Sequence, residues 1–253
     1  MPSKKIHLMI DDIPAFEVVE EALQEAELPL IIYYHGWQTN KNLAMTQARR
    51  LAGLGFRVCL PDAPNHGERH QPVSTVPSLT FWETIHGNLF EFEKIRDFFL
   101  KNRPNNGRLG VGGFSMGGMT TAALLTHHPE IDAAVCLMGT PSPKAFIDTT
   151  IMRRKEANIF LPSDYRDLMS WTPAYDLSAH PETLNGRPLF FWHGTEDWKI
   201  PINSVVKFVD ENRNTEAGRN ISLHIGVGEG HLLKIPTMEK ASFFLKEMLI
   251  DRD

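Results

Sequence analysis

Cysteine is scarce in this chain, runs of positive charge are short, and no apolar stretch is long. The two cysteines, Cys59 and Cys136, lie inside the apolar runs FRVCLP and AAVCLMG, a setting for buried strand residues rather than for a disulfide framework. No basic run exceeds Arg153-Arg154-Lys155, and the formal charge is 26 − 31 = −5. A nucleic-acid surface needs clustered cations to displace counterions from phosphates, so no nucleic-acid partner is expected. No segment approaches the ~18 consecutive apolar residues of a bilayer span. The opening MPSKKIHLMIDD has a basic start but too short an apolar stretch for a signal peptide. The expectation is a soluble cytoplasmic protein without membrane association. Internal repeats, low-complexity tracts and the H-E-x-x-H zinc pattern are absent as well. What is present is 42% apolar composition over 253 residues. That suffices for a large core, which excludes disorder and suits one domain over 1–253.

Short apolar runs alternate with longer amphipathic ones. Strands are expected over 5–10 and 16–20, as a hairpin across Asp11-Asp12-Ile13-Pro14. The run Leu30–Tyr34 reads as a strand buried on both faces. A helix over 41–53, a strand over 56–60 and a loop over 61–78 follow. Phe81, Ile85, Leu89, Phe92, Ile95 and Phe99 recur at helical spacing and predict a long helix over 79–101, ended by the turn at 103–107. Strands over 109–114, 133–138, 189–193 and 221–227 then alternate with helices over 116–127, 202–213 and 236–250. This alternation predicts an α/β fold, a mostly parallel central sheet with helices on both faces. Residues 141–187 break the pattern, being far longer than an ordinary connection. They predict a small helical insertion, placed where lids over a site occur.

The strongest chemical signal is Gly113-Phe114-Ser115-Met116-Gly117-Gly118, between a predicted strand and a predicted helix. A nucleophilic serine must project from a sharp turn, and glycines at 113 and 117 remove the collisions such a turn creates. The following helix aims free N–H groups, Met116's among them, at the serine oxygen. A dinucleotide-binding loop is the rival reading of GVGGFSMGG. It fails because G-x-G-x-x-G is nowhere completed.

Serine needs a base, and the base an orienting acid. In the order serine, acid, histidine, Asp197 lies on a loop after the strand LFFWHG, with Glu196 as a neighbouring rival. Only His224 and His231 follow. His224 falls within the strand ISLHIGV, whereas His231 follows the glycine-rich loop past its end. The candidate triad is therefore Ser115, Asp197 and His231. The second oxyanion donor is expected from the loop closing LIIYYHGW, where Gly36 permits close approach and Trp37 supplies an N–H. Gly36 and His66 are the candidate substrate contacts; His66, with Asp62 and Arg69, also suits bracing of its own loop. His66 and His70 flank Gly67 in a loop, which argues against a helical metal pair, and no metal site is expected. The cluster 152–155 reads as a solvated helix face.

Taken together, HGW, DAPNHGER, GFSMGG, HGTEDWKIP and GEGH resemble the α/β-hydrolase superfamily, in family order from about residue 30 to residue 231. The likeness is greatest to single-domain bacterial esterases related to dienelactone hydrolases and prolyl-oligopeptidase catalytic domains. Dienelactone hydrolases carry cysteine at the position of Ser115. The resemblance implies Ser115 as nucleophile, Asp197 as acid, His231 as base, and the Trp37 and Met116 N–H groups as oxyanion hole. It implies hydrolysis of small carboxylic esters through an acyl-enzyme, without metal or organic cofactor. The apolar insertion points to short or medium acyl chains. Thioesterase, acyl-transferase and aminopeptidase chemistry share the triad, and a silent binding protein is the reading from another class.

Overall fold

Two buried isoleucines, Ile10 and Ile13, flank a turn of two aspartates, and Asp11 takes φ 52° to close it. The computed structural model describes residues 2–251. The turn joins β1 (Ser3–Ile10) to β2 (Ile13–Glu20) as an antiparallel hairpin, Ile10 opposite Ile13. β2 in turn pairs antiparallel with β4 (Arg57–Pro61). Beyond it every pairing is parallel, through β3 (Leu28–Tyr34), β5 (Asn105–Phe114), β6 (Ala133–Leu137), β7 (Leu189–Gly194) and β8 (Ile221–Gly226). The sheet order is β1-β2-β4-β3-β5-β6-β7-β8.

Helices cover both faces, as the alternation predicts. On one face α2 (Pro77–Asn102) and α3 (Met116–Leu124) pack with α6 (Asn203–Asn212), burying Leu89, Phe92, Ile95, Phe99 and Phe208. On the other, α1 (Met45–Ala52) and α7 (Ile235–Leu249) bury Ala48, Leu51, Ala241 and Leu245 against Val58, Val135 and Phe190. Proline at the first turn of α2 starts that helix where its missing N–H costs nothing.

β2 is buried along its whole length yet carries Glu17. A charge there is tolerable only if paired. Glu17 meets Arg57 of β4, itself buried, and accepts from Arg103 Nε at 2.8 Å at the end of α2.

β5 begins at Asn105, inside the stretch 103–107 read as a turn. The backbone turns at Gly107 with φ 79°, while Asn105 pairs with Leu28 across a bulge that ends at Leu30. One interruption is thus absorbed within the ladder. Residues 41–53 likewise divide into a 3-10 turn over Lys41–Ala44 and then α1.

The segment 141–187 is helical in pieces. Ser142 caps α4 (Pro143–Glu156), followed by one turn of helix, α5 (Tyr165–Leu168), and 3-10 turns over Thr172–Tyr175 and Pro181–Leu184. Buried Asp176 ties its ends together. It accepts from Ser142 Oγ at 3.3 Å and from the Ser178 N–H at 2.9 Å. Beneath α4 and α5, Ile147, Tyr165 and Met169 join Phe81, Trp82, Met116 and Met119 in a third apolar cluster. Among the described residues no helix is long and apolar enough to cross a membrane.

Candidate active site

Every parallel strand from β3 to β8 delivers its carboxyl end to the same edge of the sheet, which is where open α/β sheets hold their sites. At the end of β5, Ser115 adopts φ 56°, ψ −119°, outside the regions open to an unconstrained residue. The sequence pays for this strain with glycines. A Cβ at Gly117 would stand 2.2 Å from the Tyr34 carbonyl oxygen, and one at Gly113 would stand 2.5 Å from the Gly117 carbonyl. No larger residue fits either position without displacing backbone.

His231 bridges two other strand ends. Its Nε2 accepts from Ser115 Oγ at 2.8 Å, and its Nδ1–H donates to Asp197 Oδ2 at 2.6 Å. The histidine loop after β8 and the acid loop after β7 are zipped together. Glu196 N–H donates to the Glu229 carbonyl at 2.9 Å, and Thr195 N–H to that of Gly226 at 2.9 Å. They approach so closely that a Cβ at Gly194 would lie 2.1 Å from the Glu229 oxygen.

Asp197 is saturated. Oδ1 accepts from the Lys199 and Ile200 N–H groups, both at 3.0 Å. Oδ2 accepts from His231 and lies 3.2 Å from His193 Nε2. Burial alone would raise this carboxyl, but the donors from His193, His231 and Ile200 outweigh it and hold it well below the usual carboxylate range. The group is an anion at any working pH, which suits it to fix the imidazole tautomer. Glu196, the sequence rival, is exposed and enters only through its backbone. His224 stacks on Phe190, centroids 4.8 Å apart, and takes no part.

His193 is a residue that sequence reasoning passed over. It is wholly buried, donates to the Ile200 carbonyl at 2.7 Å and stands beside Asp197, bracing the acid loop from behind. The signal available was its place as the penultimate residue of LFFWHG, four before the acid.

The loop after β3 carries Gly36 and Trp37. A Cβ at Gly36 would meet the Phe114 ring at 2.8 Å, so this glycine answers to packing under the elbow as well as to the cleft it lines. The N–H groups of Trp37 and Met116 donate to no protein acceptor among the described residues. Gln38 sits at φ 57° and is held there by its N–H donating to His66 Nε2 at 3.0 Å. His66 in turn donates from Nδ1 to the Pro64 carbonyl at 2.9 Å. With both nitrogens engaged, His66 is not among the walls of the Ser115 cleft. It lines a separate cavity of about 540 Å³ that shares Trp37, Gln38, Thr39 and Pro77 with it. Through these bonds His66 supports the Trp37–Gln38 loop.

His35 makes the reciprocal brace. Its Nε2 accepts from the Ala63 N–H at 3.0 Å while Nδ1 donates to the Gly36 carbonyl at 2.9 Å. Burial keeps this imidazole neutral, lowering its pKa to about 4. Asp62, buried, accepts from the Lys41 and Glu68 N–H groups at 2.9 and 3.0 Å and pairs with buried Lys41. Arg69 forms a two-pronged pair with Glu91 of α2 at 2.8 and 2.6 Å. Both brace the loop as expected. His70 is exposed and bonds the Asn65 carbonyl, and the described residues contain no cluster of three metal-ligating side chains.

Ser115 and His231 open into a cleft of about 610 Å³. One wall is aromatic: the Trp37 and Phe81 rings stand 5.5 Å apart, Phe81 and Phe146 5.7 Å, Trp82 and Phe146 6.0 Å. Phe146 comes from α4, so the insertion forms part of the cleft.

Against known proteins, the model of the alpha/beta hydrolase fold matches residues 29–158, and that of the prolyl oligopeptidase family matches 94–248. The chain belongs to the α/β-hydrolase family. The hydrolase is 35% identical over 207 residues to the protein named "Putative esterase YitV" of Bacillus subtilis, covering 79% of this chain and 81% of that one. It is 27% identical over 248 residues to the esterase YjfP of Escherichia coli, 94% and 96% of the two chains. Among solved structures, TT1662 from Thermus thermophilus superposes with TM-score 0.79 at 20% identity over 100% of both chains. Est1E from Butyrivibrio proteoclasticus, solved with ferulic acid bound, gives 0.69 at 17% over 96% of this chain and 98% of its own. These two likenesses concern the fold.

Proposed function

We propose that the hydrolase is a serine esterase that cleaves carboxylic esters of short to medium acyl chain through a Ser115–His231–Asp197 triad. The observation that carries this reading is the continuous hydrogen-bonded line from Ser115 Oγ through His231 to an anionic Asp197, at the floor of a cleft with one aromatic wall. The esterase names of its relatives support the same reading.

Ser115 Oγ attacks the ester carbonyl as its proton passes to His231 Nε2. Asp197 holds the imidazole by Nδ1 and stabilises the imidazolium that forms. The uncommitted N–H groups of Trp37 and Met116, the latter at the N-terminus of α3, receive the oxyanion. His231 returns the proton to the departing alcohol, then draws one from water to release the acid and restore Ser115. The chain works as a single domain, and 141–187 acts as a lid whose Phe146 closes one wall. A cleft of about 610 Å³ with one aromatic wall suits a compact apolar acyl group.

The test is hydrolysis of p-nitrophenyl acetate, butyrate and octanoate by wild type and Ser115→Ala. Turnover of the shorter esters that vanishes in the variant supports the reading. Activity surviving the substitution removes the nucleophile assignment, and activity confined to long-chain emulsified triglyceride removes the assignment of chain length.

A further inference from the structure

The cationic cluster 152–155 does not behave as a uniform solvated face. Successive residues of a helix point about 100° apart, and here the two arginines divide their work. Arg153 donates from Nη1 to the Lys199 carbonyl at 3.1 Å, clasping α4 to the acid loop. Arg154 lines the Ser115 cleft, and so does Lys199. Neither side chain has a carboxylate within salt-bridge reach or a hydrogen-bond acceptor among the described residues, although most of the chain's other arginines are paired. The Lys199 ammonium rests only over the exposed Trp198 ring, 6.0 Å from its centroid at the rim, free to swing to an anion. The cleft walls include no aspartate or glutamate. The charge of Arg154 also reaches inwards: burial raises the Tyr165 phenol, and Arg154 is one of the groups that pull it back.

Two cations without a carboxylate partner, in a cleft whose other walls carry no Asp, Glu, Lys or Arg, on a protein of net charge −5, are not required for attack on a neutral ester. Cations lining a site without internal anions favour a ligand that brings its own. A guanidinium offers two parallel donors matched to a carboxylate, and an ammonium beside it adds a point charge. We propose that the preferred substrates are esters bearing a carboxylate, held by Arg154 and Lys199 while the aromatic wall takes the carbon skeleton. Monoesters of dicarboxylic acids carry it on the acyl side, and esters of hydroxy acids on the alcohol side. The proposal rests on the serine-esterase reading above and names its substrate class.

Two matched pairs test it, with mono-4-nitrophenyl glutarate against 4-nitrophenyl pentanoate for the acyl side and 4-acetoxybenzoate against 4-acetoxybenzamide for the alcohol side. In wild type at low salt, kcat/KM for the anionic member of one pair should exceed its partner about tenfold, the scale of a charged hydrogen bond. That ratio should collapse towards one in Arg154→Gln/Lys199→Gln, with Arg154→Lys in between. Should the double variant fold poorly, exposed Lys199→Gln alone and a salt titration of wild type read the same quantity, since screening shortens to about 3 Å at 1 M. Neutral esters hydrolysed through Ser115 with no anionic preference in either pair would overturn the substrate class and leave the esterase standing. A preference indifferent to both substitutions and salt would overturn the assignment to these residues. No turnover of any of the four esters would overturn the esterase reading and the proposal with it.

Discussion

Around Ser115 no side chain can grow. Hypothetical Cβ atoms at Gly117 and Gly194 would fall 2.2 and 2.1 Å from carbonyl oxygens. Along 141–187, by contrast, Met152, Ile159, Phe160 and Leu168 leave 52%, 51%, 71% and 44% of their surface exposed. The two regions meet in one cleft but are fixed by different physics. The strand ends are over-determined by backbone contacts, so a few glycines carry the geometry. The insertion is tied from beneath, by Ile147, Tyr165 and Met169, and at Asp176 and the Arg153–Lys199 clasp, while its outer face is open. On the proposed function, chemistry belongs to the first region, and selection among substrates largely to the second.

The sharpest way to break this division is to remove chemistry without disturbing the fold. Ser115→Ala should lower kcat/KM for p-nitrophenyl butyrate by ~10⁴–10⁶-fold, and Asp197→Asn by ~10⁴-fold, as in other triads. Urea midpoints should stay near wild type for the serine variant, which loses one hydroxyl. A loss below tenfold for either would move the chemistry elsewhere in the cleft.

Next in size is Gly194→Ala. The added methyl must push the Glu229 carbonyl away, parting the acid loop from the histidine loop. Overpacking of this kind costs about 1–3 kcal/mol, and activity should fall with it, because the His231–Asp197 bond spans the same seam. Stability from urea unfolding and kcat measured together check it. An alanine variant with wild-type values for both would mean that the seam is slack.

The same contrast explains what could be read in advance. The elbow was legible because sterics leave few alternatives to glycine at 113 and 117, and the strands because they are buried on both faces. Asp197 and His231 stood out by position, each just past a strand end. His193 did not, since its part depends on where the Ile200 carbonyl folds back. Nor did the separate duties of Arg153 and Arg154, which periodicity scores as one polar face. The second half of the turn read at 103–107 lies within β5 because strand pairing with Leu28 absorbs a glycine that alone signals a break. Bracing by His66 was legible from its loop, but not that it reaches across to the Gln38 N–H while holding the Pro64 carbonyl.

Those braces make a pH prediction. His35 titrates at 6.5 when unconstrained and is lowered to about 4 by burial in the fold. The unfolded chain therefore binds the proton first. The stability His35 contributes is complete above pH 6.5 and lost as pH falls towards 4. The part lost between pH 7 and pH 5 is about 2 kcal/mol by linkage. His66 and His224 are lowered too and add in the same direction. Urea unfolding at both pH values should show a decline for wild type that is visibly shallower in His35→Gln, whatever that substitution costs at pH 7. An equal decline in both proteins would mean that His35 is protonated as easily in the fold as outside it.

The smallest effect is the most demanding test of the comparison. Phe160 is the largest exposed apolar side chain of the insertion and lies outside the cleft walls. Little of its surface leaves water on folding, so Phe160→Ser forfeits little apolar burial, and surface changes of this kind stay within about ±0.5 kcal/mol. Phe146→Ala, earlier in the chain on α4 and within the cleft, should instead raise KM for p-nitrophenyl butyrate several-fold, because it opens the wall shared with Phe81 and Trp82. If the insertion is tied only at its anchors, kcat/KM for Phe160→Ser should remain within twofold of wild type. A loss there as large as that of Phe146→Ala would show that the exposed face of 141–187 is coupled to the cleft, and that selection and structure are not as separable as the burial pattern implies.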